Sequence, residues 1–126
     1  MAAPNRVRVL IADDQRLFAE ALEAILITDA RIAVVGRAEN GEEAVALARE
    51  GRPDVVVMDI AMPVLDGIAA TKAIVVQAPE ARVVVLTASD APEDITRARD
   101  AGAAGYVTKD QVSGDLLRAI LGAAGR

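Results

Sequence analysis

A single aspartate, Asp59, stands directly after an unbroken apolar segment in the middle of the chain. Residues 55–58 are Val-Val-Val-Met, and Pro63 follows Asp59 within a short turn. A run of apolar, mostly β-branched residues without alternation indicates a strand buried on both faces of a parallel sheet. Pro63 cannot extend such a strand. Because ligands of open parallel sheets bind outside the carboxyl ends of the strands, Asp59 is a candidate site residue.

Two more apolar segments and one short segment end in a polar or charged side chain. Residues 7–12 precede Asp13 and Asp14, residues 82–86 precede Thr87, and residues 105–108 precede Lys109. Taken singly, each of these residues is explained as a helix cap, a strand end or a solvated surface lysine. Four strand ends that all finish in this way predict one shared site.

The residue types at these strand ends suit a divalent cation and a phosphoryl group. Crowded carboxylates repel one another unless a cation neutralises them, so we expect Asp13, Asp14 and Asp59 to bind one. The chain contains no Cys and no His, which leaves oxygen ligands and therefore favours Mg²⁺. An aspartate nucleophile, a lysine and a hydroxyl beside that cation form a site for phosphoryl transfer, with Asp59 as the acceptor.

Strand-like and helix-like segments alternate along the chain. A second strand is predicted at residues 31–38, and helices are predicted after each strand, with Asp14, Asn40, Asp90 and Ser113 as candidate caps. Apolar positions of the first helix are Leu17, Phe18, Ala21, Leu22, Ile25 and Leu26, and those of the third include Ile68, Ile74 and Val76. Such alternation predicts an α/β fold, a doubly wound parallel sheet of five strands with helices on both faces.

Composition limits the classes of function. The length of 126 residues predicts one domain, and the hydrophobic fraction of 53% is that of a folded chain. A formal charge of −5 argues against nucleic-acid binding by this chain alone. The first residues lack the apolar core of a signal peptide, and no apolar stretch is long enough to span a bilayer. We therefore expect a soluble cytoplasmic protein without membrane contact.

The motifs together resemble the receiver domain of bacterial two-component response regulators, over residues 6–122. The matching positions are Asp13-Asp14, Asp59 with Met62-Pro63 and Asp66-Gly67, Thr87-Ala88, and Tyr106 three residues before Lys109. The resemblance implies a flavodoxin-like three-layer sandwich with strand order 2-1-3-4-5. It also implies a signalling function rather than an enzyme with an external substrate.

The resemblance further implies a role for each site residue. Asp59 would accept a phosphoryl group from a phosphohistidine of a sensor histidine kinase, and Lys109 would contact a phosphoryl oxygen. Asp14 would bind Mg²⁺ directly, Asp13 through water, and Ala61 through its backbone carbonyl. Thr87 and Tyr106 would move inward together as the switch pair, and the phosphorylated domain would form a homodimer.

Details of the sequence narrow the resemblance to the NarL/LuxR-type subgroup. Many receivers carry Pro after the lysine, often with a cis bond; here Asp110 follows Lys109, so we expect a trans bond. The segments 12–15 and 101–106 are also typical of this subgroup, in which a helix-turn-helix DNA-binding domain follows the receiver. Residues 1–126 are expected to form the receiver alone, so DNA would be contacted only through a domain absent from this chain. Either this is a single-domain regulator or the receiver was cut at the linker, and the Gly/Ala-rich end favours the cut.

Two rival functions share the predicted architecture. A phosphatase with an aspartate nucleophile uses a second aspartate two residues later as the acid, but that position is Ala61, which cannot transfer a proton. A flavin-binding domain holds the cofactor phosphate in the loop after the first strand. Asp13 and Asp14 occupy that loop here and would repel a phosphate.

Overall fold

The computed structural model describes residues 6–88, 90–112 and 114–125. Five parallel strands form one sheet: β1 Val7–Ala12, β2 Ile32–Ala38, β3 Val55–Asp59, β4 Arg82–Thr87 and β5 Gly105–Thr108. Their spatial order is β2-β1-β3-β4-β5, which confirms the expected order. A single 3₁₀ turn, Lys109–Gln111, follows β5.

Helices cover both faces of the sheet. Their bounds are α1 Arg16–Leu26, α2 Gly41–Gly51, α3 Gly67–Gln77, α4 Pro92–Asp100 and α5 Gly114–Ala123. Buried residues of α1 and α5 share one apolar cluster, and those of α2, α3 and α4 share the other. The α/β fold expected from the alternation and the three-layer sandwich implied by the resemblance are therefore confirmed.

β3 is the central strand, and its burial follows from its sequence. All five of its residues are buried, and it lies between β1 and β4. Val55 and Val57 pack into one apolar cluster, whereas Val56 and Met58 pack into the other. A strand covered on both faces has no solvent side, which explains why no polar residue alternates with the valines.

The start of α1 differs from the expectation. Asp14 does not cap this helix; Gln15 is the N-cap residue and its side chain makes no cap hydrogen bond. The side chain of Asp13 accepts the Gln15 N–H instead. Leu17 and Ala21 were expected in the core but are exposed, Leu17 by 81%. The inward stripe is Ala19, Leu22 and Leu26, so the apolar face is rotated from the predicted one.

The caps predicted for α2 and α4 and one apolar position of α3 have different outcomes in the structure. Asn40 caps α2, since its side chain accepts the Glu43 N–H. Asp90 does not cap α4, because Ala91 lies at the N-cap and Pro92 begins the helix. Val76 is 79% exposed, because the last turn of α3 turns this position away from the sheet. The proposed cap Ser113 lies outside the described residues.

None of the peptide bonds within the described residues is cis, so the bond between Lys109 and Asp110 is trans as expected. Within the same ranges, no helix has both the length and the apolar character that crossing a membrane requires.

Candidate functional site

Three carboxylates meet where β1 and β3 end side by side. Asp13 and Asp59 are 3% and 4% exposed, whereas Asp14 is open to solvent. One carboxylate oxygen from each residue lies within 4.8 Å of the others. Because β1 and β3 are neighbouring parallel strands, their carboxyl ends bring these acids together without any long loop. The acidic cluster predicted from the strand ends is confirmed.

Each buried carboxylate uses one oxygen to fix the loop that follows it. Asp13 Oδ1 accepts the Gln15 N–H at 2.8 Å, and Asp59 Oδ1 accepts the Ala61 N–H at 3.2 Å. The second oxygens, both Oδ2, face the Lys109 Nζ at 3.6 Å from Asp13 and 3.5 Å from Asp59. In Asp13 and in Asp59, the Oδ2 atom of the carboxylate is therefore left for a ligand.

The donor set fits a hard divalent cation. Among the described residues, Asp13 Oδ2 is a buried side-chain oxygen without a hydrogen-bond partner. A buried acceptor without a partner is costly, and a cation can satisfy it. All three clustered groups are carboxylates, which suit a cation that takes oxygen ligands. The cluster can therefore hold a metal ion.

The ionisation of Asp59 reflects this crowding. Burial raises the pKa of the Asp59 carboxyl, and the negative charge of Asp13 raises it further. The hydrogen bond from the Ala61 N–H and the nearby Lys109 act in the opposite direction. The net pKa remains above the ordinary value. A cation at the cluster would favour the ionised carboxylate, the form that can act as a nucleophile.

Lys109 has a neighbour that the sequence analysis did not assign to the site. Its Nζ lies 4.5 Å from the centroid of the Phe18 ring. The Lys109 side chain is 21% exposed, and Phe18 is half-buried. Phe18 was expected only as an apolar residue of α1. The sequence feature that could have indicated this contact is the position of Phe18 in the first turn of the helix after Asp13 and Asp14.

Thr87 and Tyr106 lie on neighbouring strands and interact directly. Thr87 is buried at the end of β4, and Tyr106 is half-buried on β5. Burial raises the pKa of the Tyr106 hydroxyl, while a hydrogen bond with the Thr87 side chain lowers it. The negative charges of Asp94 and Asp90 raise it again. The two residues expected to act as a pair are thus in contact.

An open cleft of about 640 Å³ contains most of the predicted residues. Asp14, Asp59, Ala61, Thr87 and Lys109 line it. Tyr106 is not among the residues that line this cleft, but it contacts Thr87, which is. The cleft also includes Asp66, Asp94 and Arg97, which the sequence analysis did not assign to the site. Asp94 and Arg97 are on α4, and their chain positions gave no signal of contact with the strand ends.

Comparison with known proteins identifies the family of the chain. The sequence profile described as the response regulator receiver domain matches residues 9–121. The chain therefore belongs to the response regulator receiver domain family.

The curated relatives of the chain include a transcriptional regulatory protein and a response regulator. It is 38% identical over 120 residues to the uncharacterised transcriptional regulatory protein YxjL of Bacillus subtilis, covering 95% of this chain and 55% of that protein. It is 39% identical to the response regulator GacA of Pseudomonas aeruginosa, covering 90% of this chain and 53% of GacA. The chain thus spans about half the length of these curated relatives.

A solved structure gives the same fold. The signal receiver domain of the response regulator described as NarL, from Mycobacterium tuberculosis, superposes with a TM-score of 0.92 at 34% identity. The match covers 97% of this chain and 98% of that one.

Proposed function

We propose that Asp59 accepts a phosphoryl group from a phosphohistidine of a sensor histidine kinase, and that this charge switches the domain. The observation that carries the proposal is the placement of Asp59: its buried carboxylate lies at the end of the central strand, beside a second buried acid and Lys109. The chain has no His, so the donor imidazole belongs to the partner.

The reaction is an in-line transfer at phosphorus. An Asp59 carboxylate oxygen forms a bond to the phosphorus, the phosphorus–nitrogen bond of the phosphohistidine breaks, and the imidazole leaves with the electron pair. The product is an acyl phosphate on Asp59. Lys109, already 3.5 Å from Asp59 Oδ2, compensates charge on the transferred oxygens. Hydrolysis of the acyl phosphate in the same site would reset the domain, and no external substrate is turned over.

Mg²⁺ is the proposed cofactor of this transfer. Asp14, Asp13, Asp59 and the backbone carbonyl of Ala61 would hold it. When bound, the cation neutralises charge on the acids and on the phosphoryl oxygens. Asp13 and Asp59 are already held by the Gln15 and Ala61 N–H groups, so binding needs little ordering of their side chains.

The output proposed for the whole protein is control of transcription. Residues 1–126, with a core at about 6–122, would act as the receiver domain, and a DNA-binding domain outside this chain would contact DNA. Phosphorylation would draw Thr87 towards the new oxygens, release Tyr106 inward and alter the surface formed by α4, β5 and α5. That surface is the proposed homodimer face. A kinase that draws its phosphoryl group from ATP acts in the cytoplasm, which is the proposed location.

Intact-mass measurement tests the proposal. The chain is incubated with Mg²⁺ and acetyl phosphate, a small phosphodonor, and is expected to gain one phosphoryl group. Asp59→Asn should show no gain, and a chelator should block the gain in the parent. Asp54→Asn serves as a control, because Asp54 precedes the same strand at its opposite end. Equal phosphorylation of the Asp59→Asn variant would show that the acceptor is a different residue.

A further inference from the structure

Lys109 is surrounded on three sides by groups that attract its ammonium. Two are the Oδ2 atoms of Asp13 and Asp59, at 3.6 Å and 3.5 Å from Nζ. The third is the Phe18 ring, whose centroid lies 4.5 Å from Nζ. An ammonium within about 6 Å of a ring centroid, over its face, is attracted by the ring quadrupole.

The two carboxylates attract the ammonium without fixing its position. Charge-assisted N–H···O bonds are about 2.7–2.9 Å long, and both Lys109 distances are longer than that. The lysine stem has several rotatable bonds, so a purely electrostatic attraction leaves it a range of positions. The Phe18 ring closes one side of that range.

Phe18 is itself held firmly. It lies in the first turn of α1, whose start is fixed by the hydrogen bond between the Gln15 N–H and Asp13 Oδ1. Its ring is half-buried and packs against the apolar cluster shared by α1 and α5. The ring therefore offers Lys109 a fixed surface that does not depend on ionisation.

The two kinds of contact respond differently to a divalent cation. A cation bound by Asp13 and Asp59 reduces the net negative charge that attracts Lys109. The ring carries no net charge that the cation could neutralise. We propose that Phe18 is a positioning residue: its ring keeps the Lys109 ammonium beside Asp59 in the cation-loaded state that accepts the phosphoryl group. This proposal rests on the proposed function.

Three variants separate the ring face from simple apolar bulk. Phe18→Leu keeps an apolar side chain with good helix propensity but removes the π face, whereas Phe18→Tyr keeps both. Leu17→Ala is the matched control, because Leu17 lies in the same turn and is 81% exposed. Initial rates with saturating Mg²⁺ and acetyl phosphate are read by intact mass. Phe18→Leu should slow phosphorylation by about two- to thirtyfold, the range of a cation–π contact, and Phe18→Tyr should restore it.

A spectroscopic readout, first without and then with Mg²⁺, examines the contact itself. The chain contains two lysines, Lys72 and Lys109, and Phe18 is its only phenylalanine. In lysine labelled with ¹³C at Cε, the Lys109 Cε protons should be shifted upfield by the ring current, with exposed Lys72 as the internal reference. The shift should disappear in Phe18→Leu, persist in Phe18→Tyr and be unaffected in Leu17→Ala.

The outcomes distinguish this proposal from the proposed function. A parent that takes up no phosphoryl group overturns both. A parent that is phosphorylated normally beside an equally fast Phe18→Leu variant overturns only the role of Phe18. The same holds if the Lys109 shift is absent in the parent. Phe18→Leu could also act by lowering the stability of the fold. The ring-current shift of Lys109 and the rates of Phe18→Tyr and Leu17→Ala then decide whether Phe18 positions Lys109. A purely structural loss would not change the Lys109 signal alone.

Discussion

Gly67 at the start of α3 packs against the backbone of Asp59 with no room for a side chain. A Cβ on Gly67 would lie 2.1 Å from the Asp59 carbonyl oxygen and 2.7 Å from the Ile60 Cα. The Gly67 N–H also donates to the Ile60 carbonyl at 3.0 Å. The loop after β3 is therefore closed against its own helix, which fixes the direction in which Asp59 presents its carboxylate.

Gly67→Ala should destabilise the fold and disturb the acceptor. The added methyl group meets backbone that cannot move freely, and such overpacking costs about 1–3 kcal/mol or more. Urea unfolding gives the loss, and intact mass gives the phosphorylation rate. Gly122→Ala is the control, because a Cβ at Gly122 in α5 meets nothing within 4 Å. It should be neutral or slightly stabilising. A Gly67→Ala variant as stable as the parent would contradict the close approach.

Asp14→Ala should weaken the binding of Mg²⁺ and yet leave the metal-free fold at least as stable. Removing one of three clustered acids relieves repulsion, which for an exposed group at this separation is about 1 kcal/mol or less. Thermal melting with a Mg²⁺ series measures both effects, since a ligand raises the melting temperature according to its affinity.

The control for Asp14→Ala is Asp100→Ala, which removes the same charge from the exposed end of α4. It should leave the response to Mg²⁺ as in the parent. An Asp14→Ala variant less stable than the parent without metal would count against repulsion among the three acids.

Asp59 should make the metal-free fold less stable as the pH rises. Its pKa is raised in the folded protein, by burial first and by Asp13 second. The folded state therefore binds the proton more tightly than the unfolded chain does, whose Asp pKa is about 3.9. The stability that Asp59 contributes is fully present below the pKa of the unfolded chain, and it is lost as the pH rises through the pKa of the folded state.

The measurement compares Asp59→Asn with the parent in chelator, by urea unfolding from acid to neutral pH. The advantage of Asp59→Asn should be smallest in acid and should grow towards neutral pH. When Asp13→Asn is present in both proteins, the advantage of Asp59→Asn should change less with pH. The negative charge of Asp13, the second cause of the raised Asp59 pKa, is then absent. An advantage that is constant across the range would be inconsistent with a raised Asp59 pKa.

Arg97 should assist the entry of an anionic phosphodonor. It lines the cleft that contains Asp14, Asp59 and Asp66, and it pairs with Asp94 at 3.6 Å. Removing one of the few cations from an acidic cleft makes its potential more negative, so Arg97→Gln should slow phosphorylation by acetyl phosphate about two- to fivefold at low salt. High salt should reduce the difference.

Arg99→Gln is the matched control for Arg97, since Arg99 is on the same helix but lines a different pocket beside Tyr106. It should leave the rate of phosphorylation unchanged. Equal rates for Arg97→Gln and the parent at low salt would exclude an electrostatic role for Arg97.

The strand ends were predictable because apolar runs that stop at a charged residue reflect burial on both sheet faces. Asp13, Asp59 and Thr87 each stand at the end of such a run, whereas Lys109 follows the short, only partly buried strand β5. The parallel sheet brings the carboxyl ends of these strands to one edge. The inward faces of the helices were harder to predict, because a period of 3.6 residues leaves the rotation of a helix about its axis uncertain by one position. Leu17 faces solvent for that reason.

The contacts of α1 and α4 with the site could not be predicted from the sequence. Phe18 reaches Lys109, and Arg97 reaches the cleft, only because of how the helices pack on the sheet. Helix packing depends on side-chain shape along the whole interface, which residue spacing does not encode. The switch pair was implied by the family resemblance, whereas its hydrogen bond is a property of the structure.

The hydrogen bond between Thr87 and Tyr106 should report on the switch through the tyrosine alone. Tyr106 is the only tyrosine and the chain has no Trp, so tyrosinate absorbance follows one site. The Thr87 hydrogen bond lowers the pKa of Tyr106, while burial and the charges of Asp94 and Asp90 raise it. Thr87→Ala should therefore raise this pKa further, and Thr87→Ser, which keeps the hydroxyl, should not.

At neutral pH the fluorescence of the same tyrosine tests the response to activation. Beryllofluoride with Mg²⁺ mimics the phosphoryl group, and the new acceptor atoms should draw the Thr87 hydroxyl away from Tyr106. Tyrosine fluorescence should then change in the parent and in Thr87→Ser but not in Thr87→Ala. Because a ligand can only shift states that differ in affinity for it, some inward Tyr106 should exist before activation. An unchanged Tyr106 signal in the parent would disprove the coupled switch, while the phosphorylation chemistry at Asp59 would stand.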